Sequence, residues 1–192
     1  METNQQYLES VKKQMHYYKT IGEKAINQLE PEQLFITAND DSNSISTIVK
    51  HLSGNMLSRW TNFLTTDGEK EWRNRDLEFE NEPQTKEEVL TIWNTGWDCF
   101  FQAIDSLLPE QLLQIIYIRN EGQTAMDAIN RQLAHYPYHV GQIVFYAKQL
   151  KNTNWDSLSI PKNNSKEYNS EKFAQEKSIK HFTDAELKRL NK

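Results

Sequence analysis

The sequence predicts an all-α protein, and three observations support this fold class. Glycine and proline are scarce, with six and five residues in a chain of 192. The long segments between them repeat apolar residues every three or four positions, which is the period of an amphipathic helix. Four such segments are each long enough to cross a small domain. The pattern therefore favours an up-and-down four-helix bundle in which the apolar faces are buried against one another.

The first two helices are predicted from their apolar faces. The first should end before Pro31, and the second should begin near Ser44 and end before the turn at Asp67 and Gly68. The apolar face of the first helix is formed by Leu8, Val11, Met15, Tyr18, Gly22, Ala25 and Leu29. That of the second is formed by Ile45, Ile48, Val49, Leu52, Met56, Trp60 and Phe63.

The third and fourth helices also carry start signals. Thr85 with Glu88, and Thr124 with Asp127, have the spacing of capping boxes, in which side chains accept hydrogen bonds from the first backbone amides. The third helix should end before Pro109. Its apolar face is formed by Val89, Trp93, Gly96, Phe100, Ala103 and Leu107. That of the fourth is formed by Met126, Ile129, Leu133, Tyr136, Val140, Ile143, Ala147 and Leu150. Glycine on these faces, at positions 22 and 96, indicates close helix approach.

The remaining segments are predicted to be longer connections and a tail. Residues 66 to 84 exceed a bundle turn and should pack across the surface. Residues 112 to 119 are rich in β-branched and aromatic side chains, which is typical of a short strand. We therefore expect one domain over residues 1–160 and a polar, partly disordered tail over residues 161–192, with a short helix near residues 183 to 190.

Composition excludes several functional classes. The net charge of −5 argues against a nucleic-acid-binding protein, which needs concentrated positive charge to neutralise phosphates. No stretch approaches the roughly 18 to 20 apolar residues of a membrane span, and the first residues do not resemble a secretory leader. Cys99 is the one cysteine, so the chain forms no internal disulfide. These features predict a cytoplasmic protein with neither nucleic acid nor membrane as its partner.

Three histidines form a candidate metal site. His135 and His139 are four residues apart on the fourth helix, so both imidazoles project from one face. His51 borders the apolar face of the second helix and can approach them across the bundle. Three imidazoles suit zinc or nickel and leave a coordination position open. The alternative is that the histidines are packed core side chains without a metal.

Neighbouring polar residues supply further candidates. Asn55 and Gln142 each follow a histidine of the trio by about one helical turn and could orient a ligand or contact substrate. Arg131 precedes His135 by one turn and could attract an anionic substrate. Tyr136 stands where the metalloprotease motif needs glutamate, so that class is excluded and the general base stays unassigned.

The histidine segments resemble a known family. His51 in Ile48-Val49-Lys50-His51-Leu52 and the later His135-Tyr136-Pro137-Tyr138-His139 are similar to the DinB-like superfamily of bacterial metal-binding four-helix bundles. The resemblance covers roughly residues 5 to 160, and the segments around His51-Leu52-Ser53-Gly54-Asn55-Met56 and Trp72-Arg73-Asn74-Arg75-Asp76 point to an uncharacterised subfamily related to bacillithiol S-transferases.

The resemblance implies a function as well as a fold. It implies zinc or nickel on His51, His135 and His139, a homodimer, and, as in some members, a low-molecular-weight thiol cosubstrate such as bacillithiol. A metal-bound thiolate would then attack a small electrophile. Two alternatives stay open, namely a metal-dependent hydrolase and a non-enzymatic, metal-stabilised dimeric stress-response module. Trp72, Arg73 and Arg75 belong either to the rim of the pocket or to the dimer surface.

Overall fold

The computed structural model describes residues 2–80 and 83–190, and this part of the chain is mostly helical. The helices are α1 (Glu2–Asn27), α2 (Ile45–Trp60), α3 (Lys86–Ser106), α4 (Ala125–Lys151), α5 (Ser165–Phe173) and α6 (Phe182–Leu190). Short 3-10 helices lie at Pro31–Phe35, Asp76–Glu78 and Pro109–Leu113. Two strands, β1 (Ile115–Ile118) and β2 (Glu121–Thr124), pair antiparallel with Ile115 opposite Thr124. The helical content agrees with the predicted all-α class.

The predicted caps begin α3 and α4. Thr124 Oγ1 accepts a hydrogen bond from Asp127 N at 3.0 Å, and the Asp127 carboxylate accepts one from Thr124 N, so this capping box is complete. Thr85 Oγ1 likewise accepts from Glu88 N at 3.1 Å. In this second box, the Glu88 carboxylate accepts its hydrogen bond from Gln84 N, at 2.7 Å, rather than from Thr85 N. Local sequence signals therefore fix where both helices begin.

Close packing between helices follows from glycine on their apolar faces. A Cβ atom at Gly96 in α3 would lie 2.7 Å from Cα of Ser53 in α2, and one at Gly22 in α1 would lie 2.5 Å from the Trp93 ring. The first distance confirms close helix approach at Gly96, whereas at Gly22 the space is filled by the Trp93 ring of α3. The most extensive helix contacts join α2 to α3 and α1 to α4, and α2 also contacts α4. The core between them is strongly aromatic and includes Trp93, Trp97, Phe100 and Tyr136.

The strand predicted within residues 112 to 119 is β1, and its partner β2 follows a two-residue turn. Arg119 and Asn120 in this turn have φ of 56° and 62°, the left-handed conformation of a tight hairpin. The Asp67 carboxylate accepts hydrogen bonds of 2.8 Å from both of their backbone amides. Gly68 N also donates to Tyr117 O at 2.8 Å. The hairpin therefore holds the start of the long loop that follows α2.

The predicted C-terminal tail forms two further helices. The last, α6, lies at the predicted position and packs against α1, where Thr183 and Leu190 are buried. Lys13 in α1 also pairs with Asp184 at 2.9 Å. Leucine and threonine among charged residues give α6 an apolar side, which accounts for its ordered packing. The division at residue 160 stays a prediction. Across the described ranges, every helix is too short or too polar to cross a membrane.

Candidate metal centre

Three histidines from two helices converge at one point of the structure. His51 lies on α2, whereas His135 and His139 lie one turn apart on α4. One ligand atom of each ring lies within 4.8 Å of those of the other two, so the group could hold a metal ion. His51 is buried, and the other two rings are half-buried. The sequence prediction that these side chains meet is therefore matched by their placement.

Each imidazole ring is oriented by an oxygen atom at Nδ1. The three pairs are His51 with Glu78 Oε2 at 2.9 Å, His135 with Gln132 Oε1 at 3.1 Å, and His139 with Gln142 Oε1 at 2.8 Å. A carboxylate or amide oxygen can only accept, so these contacts assign the hydrogen to Nδ1 of each ring. In the neutral ring, each Nε2 then carries a free lone pair. Second contacts of this kind are what fix metal-binding histidines in proteins.

The Nε2 atoms of His135 and His139 lie 3.1 Å apart. Two nitrogen lone pairs at this separation repel each other, and a shared cation relieves that repulsion. Zinc–nitrogen bonds measure about 2.0–2.1 Å, so two nitrogens bound to one tetrahedral ion lie about 3.3 Å apart. The spacing and the all-imidazole donor set thus fit a divalent ion. Imidazole suits zinc and nickel alike.

Electrostatics keeps the two histidines of α4 neutral. The pKa of His135 is lowered from 6.5 to about 4, chiefly by burial and then by His139, His51 and Arg131. Burial also lowers the pKa of His139, against the hydrogen bond with Gln142, which raises it. Both rings are therefore uncharged at pH 7. The neutral ring is the form that binds a metal ion, so protons compete little for these ligands.

A buried ion pair stands behind His51. Arg73 Nε donates to Glu78 Oε1 at 2.8 Å, and the exposed fractions of the two side chains are 3% and 7%. Burial alone would raise the pKa of Glu78, but hydrogen bonds from His51 and Arg73 bring it below its ordinary value. The carboxylate is therefore charged. It reaches His51 because Gly54, one turn along α2, has no side chain. A Cβ there would lie 2.8 Å from Glu78 Cδ.

A buried hydrogen-bond chain joins the two helices that carry the histidines. Trp60 Nε1 in α2 donates to Tyr136 Oη in α4 at 2.8 Å, and Tyr136 Oη donates to Asn55 Oδ1 in α2 at 3.2 Å. Complete burial raises the pKa of Tyr136, which keeps its hydroxyl protonated as a donor. Breaking such a buried network costs about 1–3 kcal/mol per unsatisfied group. These hydrogen bonds between α2 and α4 therefore fix the spacing between His51 and the α4 histidines.

The predicted polar candidates occupy different places. Gln142 contacts His139 directly, whereas Asn55 contacts Tyr136. Arg131 is exposed, one turn before His135. Cys99 is half-buried beside Thr61, and burial raises its pKa, which favours the thiol over the nucleophilic thiolate.

Sequence reasoning missed Glu78 and Gln132. Gln132 precedes His135 by three residues, as Gln142 follows His139 by three, so helical spacing could have indicated it. Glu78 lies 27 residues from His51 in the loop after α2. No periodic pattern links these two positions, because a loop path is not encoded by helical spacing.

Comparison with known proteins gives one family match. Residues 2–164 match the model of a family described as "Protein of unknown function (DUF1572)". The matched segment contains the three histidines, Glu78 and both glutamines, and it ends before α5. Neither curated proteins nor solved structures yield a match.

Proposed function

The chain belongs to the DUF1572 family, and we propose that this member is a metal-dependent thiol S-transferase that acts on small electrophiles. The observation that carries the proposal is the convergence of three imidazoles whose Nδ1 atoms are all held by oxygen acceptors. Three protein ligands leave room for one exogenous ligand, as in catalytic rather than structural zinc sites. Nε2 of His51, His135 and His139 would hold the ion.

When bound, the ion would lower the pKa of a coordinated thiol, so that the thiolate forms at neutral pH. The chain supplies the orientation and the charge state of the three ligands. Glu78, Gln132 and Gln142 orient the three rings, and burial keeps His135 and His139 neutral. In the transfer, a carbon–sulfur bond forms as the bond to the leaving group breaks. The leaving group departs with its electron pair, and the thiol proton passes to solvent.

The state of Glu78 favours thiol transfer over hydrolysis. A metal-dependent hydrolase gains from a free carboxylate that accepts a proton from the attacking water. In the part of the chain that the structure describes, Glu78 is the carboxylate hydrogen-bonded to the histidine cluster, and both of its oxygens are engaged by His51 and Arg73. A thiol is far more acidic than water and needs no such base. The site therefore suits a thiol better than a water nucleophile.

The proposal extends to fold and assembly. We place the chain in the DinB-like superfamily, with α1 to α4 as its up-and-down four-helix bundle, zinc or nickel as the metal, and a cytoplasmic homodimer as the working form. The fold and the metal are supported by the four amphipathic helices, the contacts of α2 with α3 and of α1 with α4, and the histidine spacing. The homodimer rests on the resemblance of the histidine segments to that superfamily, and the cytoplasmic location on the composition. Sedimentation equilibrium measures the mass in solution directly. A monomer at all concentrations would remove the dimer from the proposal.

Metal content tests the site itself. Elemental analysis of protein purified without a histidine tag should find about one divalent ion per chain. His51→Ala, His135→Ala and His139→Ala should each lose most of it, whereas His16→Ala, outside the cluster, should keep it. Equal metal content in all four variants would assign the histidines a packing role and remove the proposed function.

Thiol consumption tests the reaction. Metal-loaded protein is mixed with 1-chloro-2,4-dinitrobenzene and, in turn, bacillithiol, cysteine and coenzyme A, and the thioether product is followed by absorbance. We expect product formation that depends on the metal and is lost in His135→Ala. Product that forms at the same rate without the protein would exclude a transferase acting on this electrophile. Turnover of ester or amide substrates without thiol would instead identify a hydrolase.

A further inference from the structure

The two flanks of the histidine cluster carry the same pair of side-chain types. On α4, Arg131 precedes His135 by one turn and Tyr138 follows it by three residues, so both lie on the His135 face of the helix. Tyr138 is 62% exposed, and its ring centroid lies 5.0 Å from that of His139. This flank therefore presents a cation and an aromatic ring to solvent beside the metal ligands.

The loop after α2 provides the second flank. The Phe79 ring lies 5.3 Å from the His51 ring and is 37% exposed. The Arg75 guanidinium lies 5.1 Å above the same Phe79 ring, within the range of a cation–π contact. We call the four side chains Arg75, Phe79, Arg131 and Tyr138 the mouth of the site.

The charge of the mouth contrasts with that of the whole chain. The net charge is −5, yet both charged members of the mouth are cationic. The nearby Arg59 and Arg73 are neutralised by Glu69 and Glu78. Within residues 2–80 and 83–190, by contrast, neither Arg75 nor Arg131 forms an ion pair with a carboxylate. Two guanidinium groups without a carboxylate partner attract anions, and exposed rings beside them favour a planar apolar group.

Resting on the proposed metal site, we propose that the mouth selects small substrates that combine an anionic group with a planar apolar group. The anion binds between Arg75 and Arg131, and the apolar part packs on Phe79 and Tyr138. The two arginines of the mouth bind the anionic group of such a substrate as it approaches the three histidines. The mouth thus supplies the selectivity that three imidazoles alone do not provide.

The test uses three probes that separate charge from ring. Calorimetry measures binding of 3-phenylpropionate, 3-phenylpropionamide and propionate to the full, zinc-loaded chain. We expect 3-phenylpropionate to bind about fivefold or more tightly than either other probe. Arg131→Gln and Arg75→Gln should each weaken its binding about two- to fivefold, as for partly exposed ion pairs, and leave binding of the amide unchanged. The control is Lys162→Gln, which removes one positive charge from an exposed position outside the mouth. It should leave the binding of 3-phenylpropionate and of 3-phenylpropionamide unchanged.

Zinc content is measured for every variant, which separates two kinds of failure. A wild-type chain that takes up no zinc overturns the proposed function and this inference with it. A zinc-loaded chain that binds acid and amide equally overturns this inference alone. The same holds if the acid is preferred but the arginine variants behave like Lys162→Gln, because the carboxylate then binds without the mouth.

Discussion

Glu78 links the candidate metal centre to the loop after α2. Its carboxylate accepts from His51 Nδ1 at 2.9 Å and from Arg73 Nε at 2.8 Å, and both partners are nearly excluded from water. Because the carboxylate is charged, it holds the His51 ring in position as a ligand and stabilises the positive charge that a divalent ion brings. A neutral amide at this position would retain the shape and lose the charge.

Glu78→Gln should therefore weaken zinc binding about 10- to 100-fold, the range seen for contacts behind metal-binding histidines. Competition titration with a chromogenic chelator measures the change. The control is Glu80→Gln, which removes the same charge from an exposed residue of the same loop. Thermal unfolding of both metal-free variants separates loss of the fold from loss of affinity. Zinc affinity equal to that of the wild type in a folded Glu78→Gln variant would contradict this role.

Cys99 offers a pH test of whether the protein's own thiol takes part in chemistry. Its Sγ lies 3.7 Å from Thr61 Oγ1, and burial raises the thiol pKa above its ordinary value. A raised pKa means that the reactive thiolate appears only at higher pH. The alkylation rate with iodoacetamide should therefore rise between pH 8 and 10 with a midpoint above that of the unfolded chain.

The unfolded chain in urea is the control for that measurement, since its thiol is solvated. At pH 8, we expect alkylation of the folded protein to be several times slower than in urea. A folded-state midpoint at or below the unfolded one would show an activated thiol, and it would make Cys99 a competitor for the nucleophile's role. The expected result leaves that role to an exogenous thiol.

Among the structural elements, the loop after α2 is the one whose path places Glu78 beside His51. The Asp67 carboxylate holds the hairpin turn, while Glu69 pairs with Arg59 in α2 and with Arg119 in the turn. These contacts fix the start of the loop against both neighbours. The chain then returns to α2 at Glu78. The two-stranded hairpin therefore holds the loop that leads to the candidate metal centre, although it contributes no residue to the histidine cluster.

Gly54→Ala tests whether this return path is required. The added Cβ would lie 2.8 Å from Glu78 Cδ, so the carboxylate that contacts His51 must shift. We expect a zinc affinity reduced about tenfold, similar to the effect of Glu78→Gln, and a lower unfolding temperature. Alanine is otherwise the better helix residue by about 0.5–1 kcal/mol.

Gly141→Ala in α4 is the matched control, because nothing lies within 4 Å of its added Cβ. That variant should keep its zinc affinity and gain stability, since only the helix preference changes. Chelator competition and thermal unfolding of the two variants make the comparison. Similar behaviour of Gly54→Ala and Gly141→Ala would show that the space between α2 and Glu78 is not limiting.

The contrast between helices and loop explains what the sequence could predict. Thr85 and Thr124 mark helix starts because capping depends on residues only three positions apart. Helical periodicity likewise places His135 and His139 together. Glu78 could not be assigned in this way, because its contact with His51 depends on a loop path set by ion pairs and by Gly54. The partner of β1 was missed for a related reason, since β2 has few apolar residues to identify it.

At the scale of the whole molecule, the helices that carry the candidate site are not the helix on which α6 packs. The histidines lie on α2 and α4, whereas α6 packs on α1. Thr183 and Leu190 are buried there, and Arg189 donates to Leu158 O at 2.9 Å. The family match ends at residue 164, before both terminal helices. The fold around the metal centre is thus expected to be independent of α5 and α6.

Removal of residues 165–192 tests this separation. The shortened chain should bind about one zinc ion with unchanged affinity, because Glu78, Gln132 and Gln142 and the helices that carry the histidines are retained. Its free energy of unfolding should fall by about 1–3 kcal/mol, since the face of α1 beneath Leu190 becomes exposed. Leu190→Ala in the full chain removes only that contact and should cost part of the same amount. Chelator competition and urea unfolding measure both quantities. Loss of zinc affinity in the shortened chain, with its helical circular dichroism retained, would instead make α6 a support of the metal centre through α1 and α4.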